Sequence, residues 1–539
     1  MNSGAPVLDI KGLTVSLPKG ADRDNAIEEI DIQVFPKEIV CVVGESGSGK
    51  SVTAHTVMGL LPKGELSPIA GRINLANEPL LEKSPAELRD LRGARMSMIF
   101  QEPFTALNPV VRVGQQIEEV LKIHTDMSAD ARRARVLEVM DDVRLPDPEQ
   151  LIDTFPHQLS GGQRQRIMIA AALALEPALL IADEPTTALD VTTQAQILTL
   201  IKDIQASHDT GVLFITHDFG VVAEIADRVI VMQNGRVVEA GAASGVLTAP
   251  EHPYTQMLIG SVPSLTPKLR DDATDDMTVL ATRNLEKTYR SSGLFQKTRE
   301  VRAAANVNIS LQKGKTLGIV GESGSGKSTV ARCIVRLIDP TAGSILVDSE
   351  DIAALPVSKL HDYRRKVQIV FQDPYRSLNP RRTVGQSIVE GPMNFGLDQA
   401  DAWTRARELM ALVGLDPNVL DRLPHQFSGG QRQRICIART LAMQPDILIA
   451  DEAVSALDVS VQAQVLDLLD EIRERFNLAM LFITHDLRVA AQVCDRIAVM
   501  YQGEVVEQGP ASTVFSAPSH AYTKALFEAA PGRHLGHNA

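Results

Sequence analysis

Gly44-Glu45-Ser46-Gly47-Ser48-Gly49-Lys50, followed by Ser51, returns as Gly321-Glu322-Ser323-Gly324-Ser325-Gly326-Lys327, followed by Ser328 and Thr329. Both copies satisfy G-x-x-x-x-G-K-[ST], and both follow short apolar runs, residues 38–43 and 315–320. Glycine at these places lets backbone N–H groups turn inward against phosphate oxygens, where a side chain would block the approach. A helix starting just after the loop adds the positive end of its dipole. In that geometry Lys50 and Lys327 meet the β- and γ-phosphates of a nucleotide, and Ser51 and Ser328 ligate Mg²⁺. The motif predicts an α/β fold, and its repetition with identical filler residues predicts that the fold is built twice.

The repeat extends well beyond the loops. They are offset by 321 − 44 = 277 residues, whereas Ser160 of LSGGQRQR and Ser428 of FSGGQRQR are offset by 428 − 160 = 268. The offset stays at 268 between Glu184 and Glu452 and between His217 and His485. Loop-length variation therefore lies between the phosphate loop and the SGGQ segment. The organisation expected is a first domain over 1–263, a flexible acidic linker over 264–278 carrying Asp271, Asp272, Asp275 and Asp276, and a second domain over 279–539. Within each domain, apolar runs such as 179–182, 212–216, 447–450 and 480–484 suit strands buried on both faces of a mostly parallel sheet. Val136, Val139, Met140 and Val143 form one helical stripe, and Ala406, Leu409, Met410 and Val413 form its counterpart. Each domain is thus an α/β core with a helical subdomain.

At 539 residues with a net charge of -13, the chain is a poor nucleic-acid binder, because that affinity comes mainly from neutralising phosphates. The cluster Arg364, Arg365 and Lys366 reads as a solvated helix face. Cys41, Cys333, Cys436 and Cys494 are scattered without a C-x-x-C pair, so zinc and iron–sulfur sites are unsupported and a reducing compartment fits. The N-terminus shows no basic stretch followed by an apolar one, and no export signal is expected. The longest apolar run, 167–175, is stopped by Glu176 and Pro177, well short of a membrane span. Any membrane role must come through partners.

Further side chains complete the chemistry. Asp183-Glu184 and Asp451-Glu452 end apolar strands, where the first carboxylate holds Mg²⁺ through water and the second orients an attacking water. His217 and His485 close strands reading LFITHD and are placed at a γ-phosphate. Gln101 and Gln372, in IFQEP and VFQDP, offer neutral amides that touch Mg²⁺ and water. Ser160-Gly161-Gly162-Gln163 and Ser428-Gly429-Gly430-Gln431 open helices and offer a second anion-binding helix end.

Taken together and in this order, these segments resemble the ATPase units of ABC transporters over essentially the whole chain. The resemblance implies two tandem P-loop NTPase domains of the ABC type, ATP and Mg²⁺ as ligands, and hydrolysis coupled to transport. It implies head-to-tail pairing of the units, one chain supplying both. Lys50 would then face Ser428 and Lys327 would face Ser160. FTALNP (104–109), YRSLNP (375–380), HPYTQMLIGSVP (252–263) and HAYTKALFEAAP (520–531) are similar to segments of di- and oligopeptide importers, and the fused arrangement is similar to that of microcin C-type peptide importers. That likeness implies two membrane permeases and a substrate-binding protein as partners, peptide-like cargo, and a peripheral place on the cytoplasmic face of the inner membrane. Tyr289, in LEKTY, matches the aromatic that stacks on adenine in the family, whereas Leu17 stands at its counterpart. A soluble twin-ATPase acting on ribosomes or DNA, and the ATPase of an exporter, are the alternatives.

Overall fold

The computed structural model describes residues 4–21, 23–187, 189–268, 277–293, 296–455 and 457–532. Two compact units emerge, one running from Met1 to Ser261 and the other from Val262 to Ala530.

In the first unit a six-stranded sheet runs, edge to edge, Arg236–Ala242, Arg228–Gln233, Ile39–Val43, Gly211–Ile215, Leu179–Asp183 and Met96–Ile99. All neighbours are parallel except the first pair. Ile39–Val43, Leu179–Asp183 and Gly211–Ile215 are buried at every position, which is why they read as unbroken apolar runs instead of alternating ones. The second unit repeats the order with Glu504–Pro510, Arg496–Tyr501, Thr316–Val320, Ala479–Thr484, Ile447–Asp451 and Val367–Val370.

A second, antiparallel sheet opens each unit. In the first it joins Asn25–Val34, Leu8–Ser16, Ser67–Leu75 and Glu78–Pro79. Its inward residues Leu8, Ile10, Leu13 and Val15 share one core with Val40, Val42, Val57 and Leu213, so the helix after the phosphate loop is packed between two sheets. Burial of each such side chain contributes about 1.5–3 kcal/mol. The loop is thereby fixed at the seam of a rigid core.

The helical subdomain of the first unit contains Val113–His124, Ala129–Asp142 and Gly161–Leu173. Val136, Val139, Met140 and Val143 are buried, as are Ala406, Leu409, Met410 and Val413 in the second unit. Arg364, Arg365 and Lys366 lie exposed in the last turn of His361–Lys366. All four cysteines are buried and outside disulfides. No helix among the described residues is long and apolar enough to cross a membrane.

Of the expected acidic linker, residues 264–268 and 277–278 are among the described residues. The second unit already includes Val262, and the Ser264 and Thr266 carbonyls accept hydrogen bonds from Gln492 Nε2 at 2.8 and 3.1 Å. The Lys268 N–H donates to the Ala491 carbonyl, and its ammonium pairs with Asp470 at 3.1 Å. Satisfied backbone groups hold this stretch against helix Leu487–Val493, and the ion pair ties it to helix Val459–Phe476. Residues 269–276 lie outside the described residues, and the next strand starts at Thr278.

Candidate functional site

Strand Ile39–Val43 delivers the chain into the glycine loop, and helix Lys50–Met58 leaves it. Gly44 has φ 151°, and a Cβ there would stand 2.2 Å from the Met232 carbonyl oxygen. The site therefore requires glycine both for conformation and for room. Gly321 repeats this against Met500, again at 2.2 Å. The Lys50 ammonium is buried and donates to the carbonyls of Gly44 at 2.7 Å and Glu45 at 2.9 Å. Lys327 does the same to Gly321 and Glu322, both at 2.8 Å.

The hydroxyl of Ser51 donates to Asp183 Oδ1 at 3.0 Å, and that of Ser328 to Asp451 Oδ1 at 2.9 Å. Burial pushes both aspartates above the usual carboxylate range, with the serine hydroxyls opposing. Asp183 and Asp451 are thus carboxylates short of positive compensation, each beside a hydroxyl.

Glu184 and Glu452 follow directly and have φ 48° and 50°, left-handed values that cost a non-glycine residue about 1–2 kcal/mol. Their N–H groups still donate to Ile215 and Ile483, so the backbone twists only after strand pairing ends. The twist aims each side chain at a polar cluster. Glu184 accepts from Gln101 Nε2 at 2.9 Å and Thr187 Oγ1 at 3.0 Å, and pairs with His217 Nδ1 at 3.3 Å. Glu452 accepts from Gln372 Nε2 at 2.8 Å and pairs with His485 Nδ1 at 3.4 Å. Burial alone would raise the Glu184 pKa, but His217 and Thr187 outweigh it and hold it at about 2. Glu452 is lowered for the same reason, with His485 as partner.

Ser160 and Gln163 satisfy each other in a capping box at the exposed start of helix Gly161–Leu173, at 3.2 and 3.0 Å, and Ser428 and Gln431 do so at 3.3 and 3.0 Å. In the second unit Gly429 and Gln433 line one cleft of about 820 Å³ together with Ser328, Gln372 and Asp451. The start of the second SGGQ helix and Asp451 thus face the same cleft. Tyr289 is 42% exposed on strand Thr278–Gly293, with the Lys287 ammonium 5.3 Å from its ring centroid.

Five contributing side chains escaped the sequence reading. Thr187 supports Glu184. Arg164 and Arg432, just after SGGQ, lie over the rings of Phe104 and Tyr375 at 3.7 and 3.6 Å, joining the segment after each glutamine to the SGGQ helix. Tyr254 and Tyr522 bond to the phosphate loops through Glu45 and Glu322. Their spacing, 522 − 254 = 268, is that of the other paired sites and was the available signal.

Comparison with known proteins places this geometry. A family model described as ABC transporter matches residues 27–187 and 304–455. The chain belongs to the ABC transporter family. This ABC transporter ATPase is also matched over 238–290 and 506–535 by a model described as the C-terminal region of oligopeptide/dipeptide transporters. The glutathione import ATP-binding protein GsiA of Salmonella typhimurium is 46% identical over 557 residues, covering 97% of this chain and 89% of that one. GsiA of Escherichia coli is 45% identical over 563 residues with the same coverage. A solved dimeric bacterial ABC transporter cassette is 31% identical, covering 43% of this chain and 98% of that one, with TM-score 0.40. The two domains of this ABC transporter ATPase bind ATP, and its hydrolysis is coupled to transport.

Proposed function

We propose that the chain is the ATP-hydrolysing subunit of an importer of peptides or peptide-like compounds, with glutathione the first cargo to try. The observation that carries this is the pair of matches to an oligopeptide/dipeptide-type C-terminal region, at residues 238–290 and 506–535, together with similarity to GsiA along 97% of the chain. Two permeases and a substrate-binding protein complete the machine, and the chain attaches peripherally to the cytoplasmic face of the inner membrane.

Lys50 and Lys327 bind the β- and γ-phosphates, and the N–H groups of Gly47, Gly49, Gly324 and Gly326 line the cradle. Ser51, Asp183 and Gln101, and Ser328, Asp451 and Gln372, are the hard oxygen donors that suit Mg²⁺, and the under-compensated buried aspartates fit a divalent cation. When bound, that ion neutralises charge on the phosphates. Glu184 and Glu452, held ionised, accept the hydrogen bond of the attacking water and orient it toward the γ-phosphate. His217 and His485 orient those carboxylates and contact the γ-phosphate. Ser160–Gln163 and Ser428–Gln431 remain the second anion-binding helix ends.

Affinity purification from host membranes tests the reading. Two integral membrane permeases should accompany the chain, and its deletion should abolish uptake of labelled glutathione or short peptides. Ribosomes or DNA as the dominant companion, or cargo accumulating inside deletion cells, would overturn it.

A further inference from the structure

The peptide unit between Gly44 and Glu45 is held from both sides. Its C=O accepts from Lys50 Nζ at 2.7 Å, and its N–H donates to the Tyr254 hydroxyl at 3.2 Å. The Tyr254 hydroxyl also donates to Glu45 Oε2 at 3.1 Å. The second unit repeats the arrangement: Gly321 C=O accepts from Lys327 Nζ at 2.8 Å, and Glu322 N–H donates to the Tyr522 hydroxyl at 3.1 Å. Both tyrosines come from the C-terminal extensions, at least 200 positions after the loop residues they touch: 254 − 45 = 209 and 522 − 322 = 200.

The extensions are built to hold those hydroxyls still. Tyr254 is 6% exposed and lies in helix Pro253–Gly260. Glu239 accepts the N–H groups of Glu251 and His252 at 2.9 and 3.1 Å, and His252 Nδ1 accepts from the Tyr254 N–H at 3.2 Å. Glu507, Ser519, His520 and Tyr522 form the same lattice ahead of helix Ala521–Glu528. On the loop side, Gly44 has no side chain to restrict its rotation, so the adjoining peptide needs an outside partner to fix its plane. A peptide bonded at both ends is also polarised along the chain of hydrogen bonds, which strengthens the lysine contact.

We propose that Tyr254 and Tyr522 are positioning residues of the two nucleotide sites. Through them each C-terminal extension sets the plane of the second peptide of the phosphate loop, and with it the station of the loop lysine. This rests on the assignment of the loops to nucleotide made above. The extension is then a working part of the ATPase.

The test uses the full chain and the non-hydrolysable analogue Mg²⁺–AMP-PNP. Tyr254→Phe with Tyr522→Phe removes only the two hydroxyls. Dissociation constant and KM for ATP should rise about three- to tenfold, the worth of one hydrogen bond, with kcat within about twofold. The melting temperature without nucleotide should hold. His252→Ala, which breaks the helix cap and keeps the hydroxyl, should instead lower the melting temperature and leave affinity largely intact. Unchanged affinity in the double Phe variant, while Lys50→Ala with Lys327→Ala loses binding, would overturn the tyrosine proposal alone. So would a fall in kcat at constant KM, or an affinity loss that simply tracks melting temperature across the Phe and Ala variants. Retained binding in the double lysine variant would overturn the nucleotide assignment itself.

Discussion

Gln101 donates its amide N–H to the Glu184 carboxylate at 2.9 Å, as Gln372 does to Glu452 at 2.8 Å. The amide and the carboxylate are therefore linked directly, and a shift of the segment after Gln101 would break or remake a contact to the group assigned to water activation.

Replacing Glu184 and Glu452 by Gln keeps an oxygen that accepts from Gln101 and Gln372 and removes the charge. Phosphate release should fall at least about 100-fold while AMP-PNP binding survives. A double variant releasing phosphate at the parent rate would take water activation away from these residues.

Stability should depend on pH through the histidine pair. Burial opposes the charged form of His485, but Glu452 outweighs it and raises the histidine above 6.5. His485 thus stabilises the fold fully below 6.5 and less as pH climbs through its raised value. Glu452 is lowered from 4.5, so its contribution is full above 4.5 and fades as pH falls toward the lowered value. In the absence of nucleotide, the melting temperature of the parent minus that of His485→Gln should peak between pH 4.5 and 6.5 and shrink on both sides. Calorimetric scans across pH check this, and a flat difference would refute it.

The loop glycines should differ in cost. A Cβ on Gly44 meets the Met232 carbonyl at 2.2 Å, whereas Gly47, at φ 78°, has nothing within 4 Å. Gly47→Ala should cost only the conformational strain, about 1–2 kcal/mol. Gly44→Ala must also displace a sheet carbonyl and should cost clearly more in urea unfolding. Equal losses would mean that the seam is softer than its packing indicates.

The adenine side should be unequal. Tyr289 presents an aromatic face and Leu17 does not, and stacking a base on an aromatic ring contributes about 1–3 kcal/mol. Leu17→Tyr should tighten AMP-PNP binding about fivefold or more at the first site, measured with the second disabled by Lys327→Ala. No change would remove stacking from the account of that position.

The phosphate loops, the strand-end acids, the histidines and the glutamines were legible in the sequence because each sits at the end of a short apolar run, where period and position are unambiguous. The helical stripe at Val136, Val139, Met140 and Val143 was legible for the same reason. The antiparallel sheet was not: Leu8–Ser16 mixes two bulged registers, and its alternation is broken by Gly12 and Leu13. The docking of Ser264 and Thr266 is made by backbone carbonyls, which carry no side-chain signature. Tyr254 was visible as a repeated residue, but its partner lies 209 positions away, and only the folded chain names it.

The four sulfhydryls are all enclosed, and burial raises those of Cys41, Cys333 and Cys436, the latter two to about 11. At neutral pH those three are poor nucleophiles, and burial shields all four from reagent. The wild-type polypeptide is therefore its own blank for maleimide chemistry. One cysteine added on the outside would take a fluorophore or spin label cleanly, and the two halves can be followed through a catalytic cycle without first stripping the native residues out.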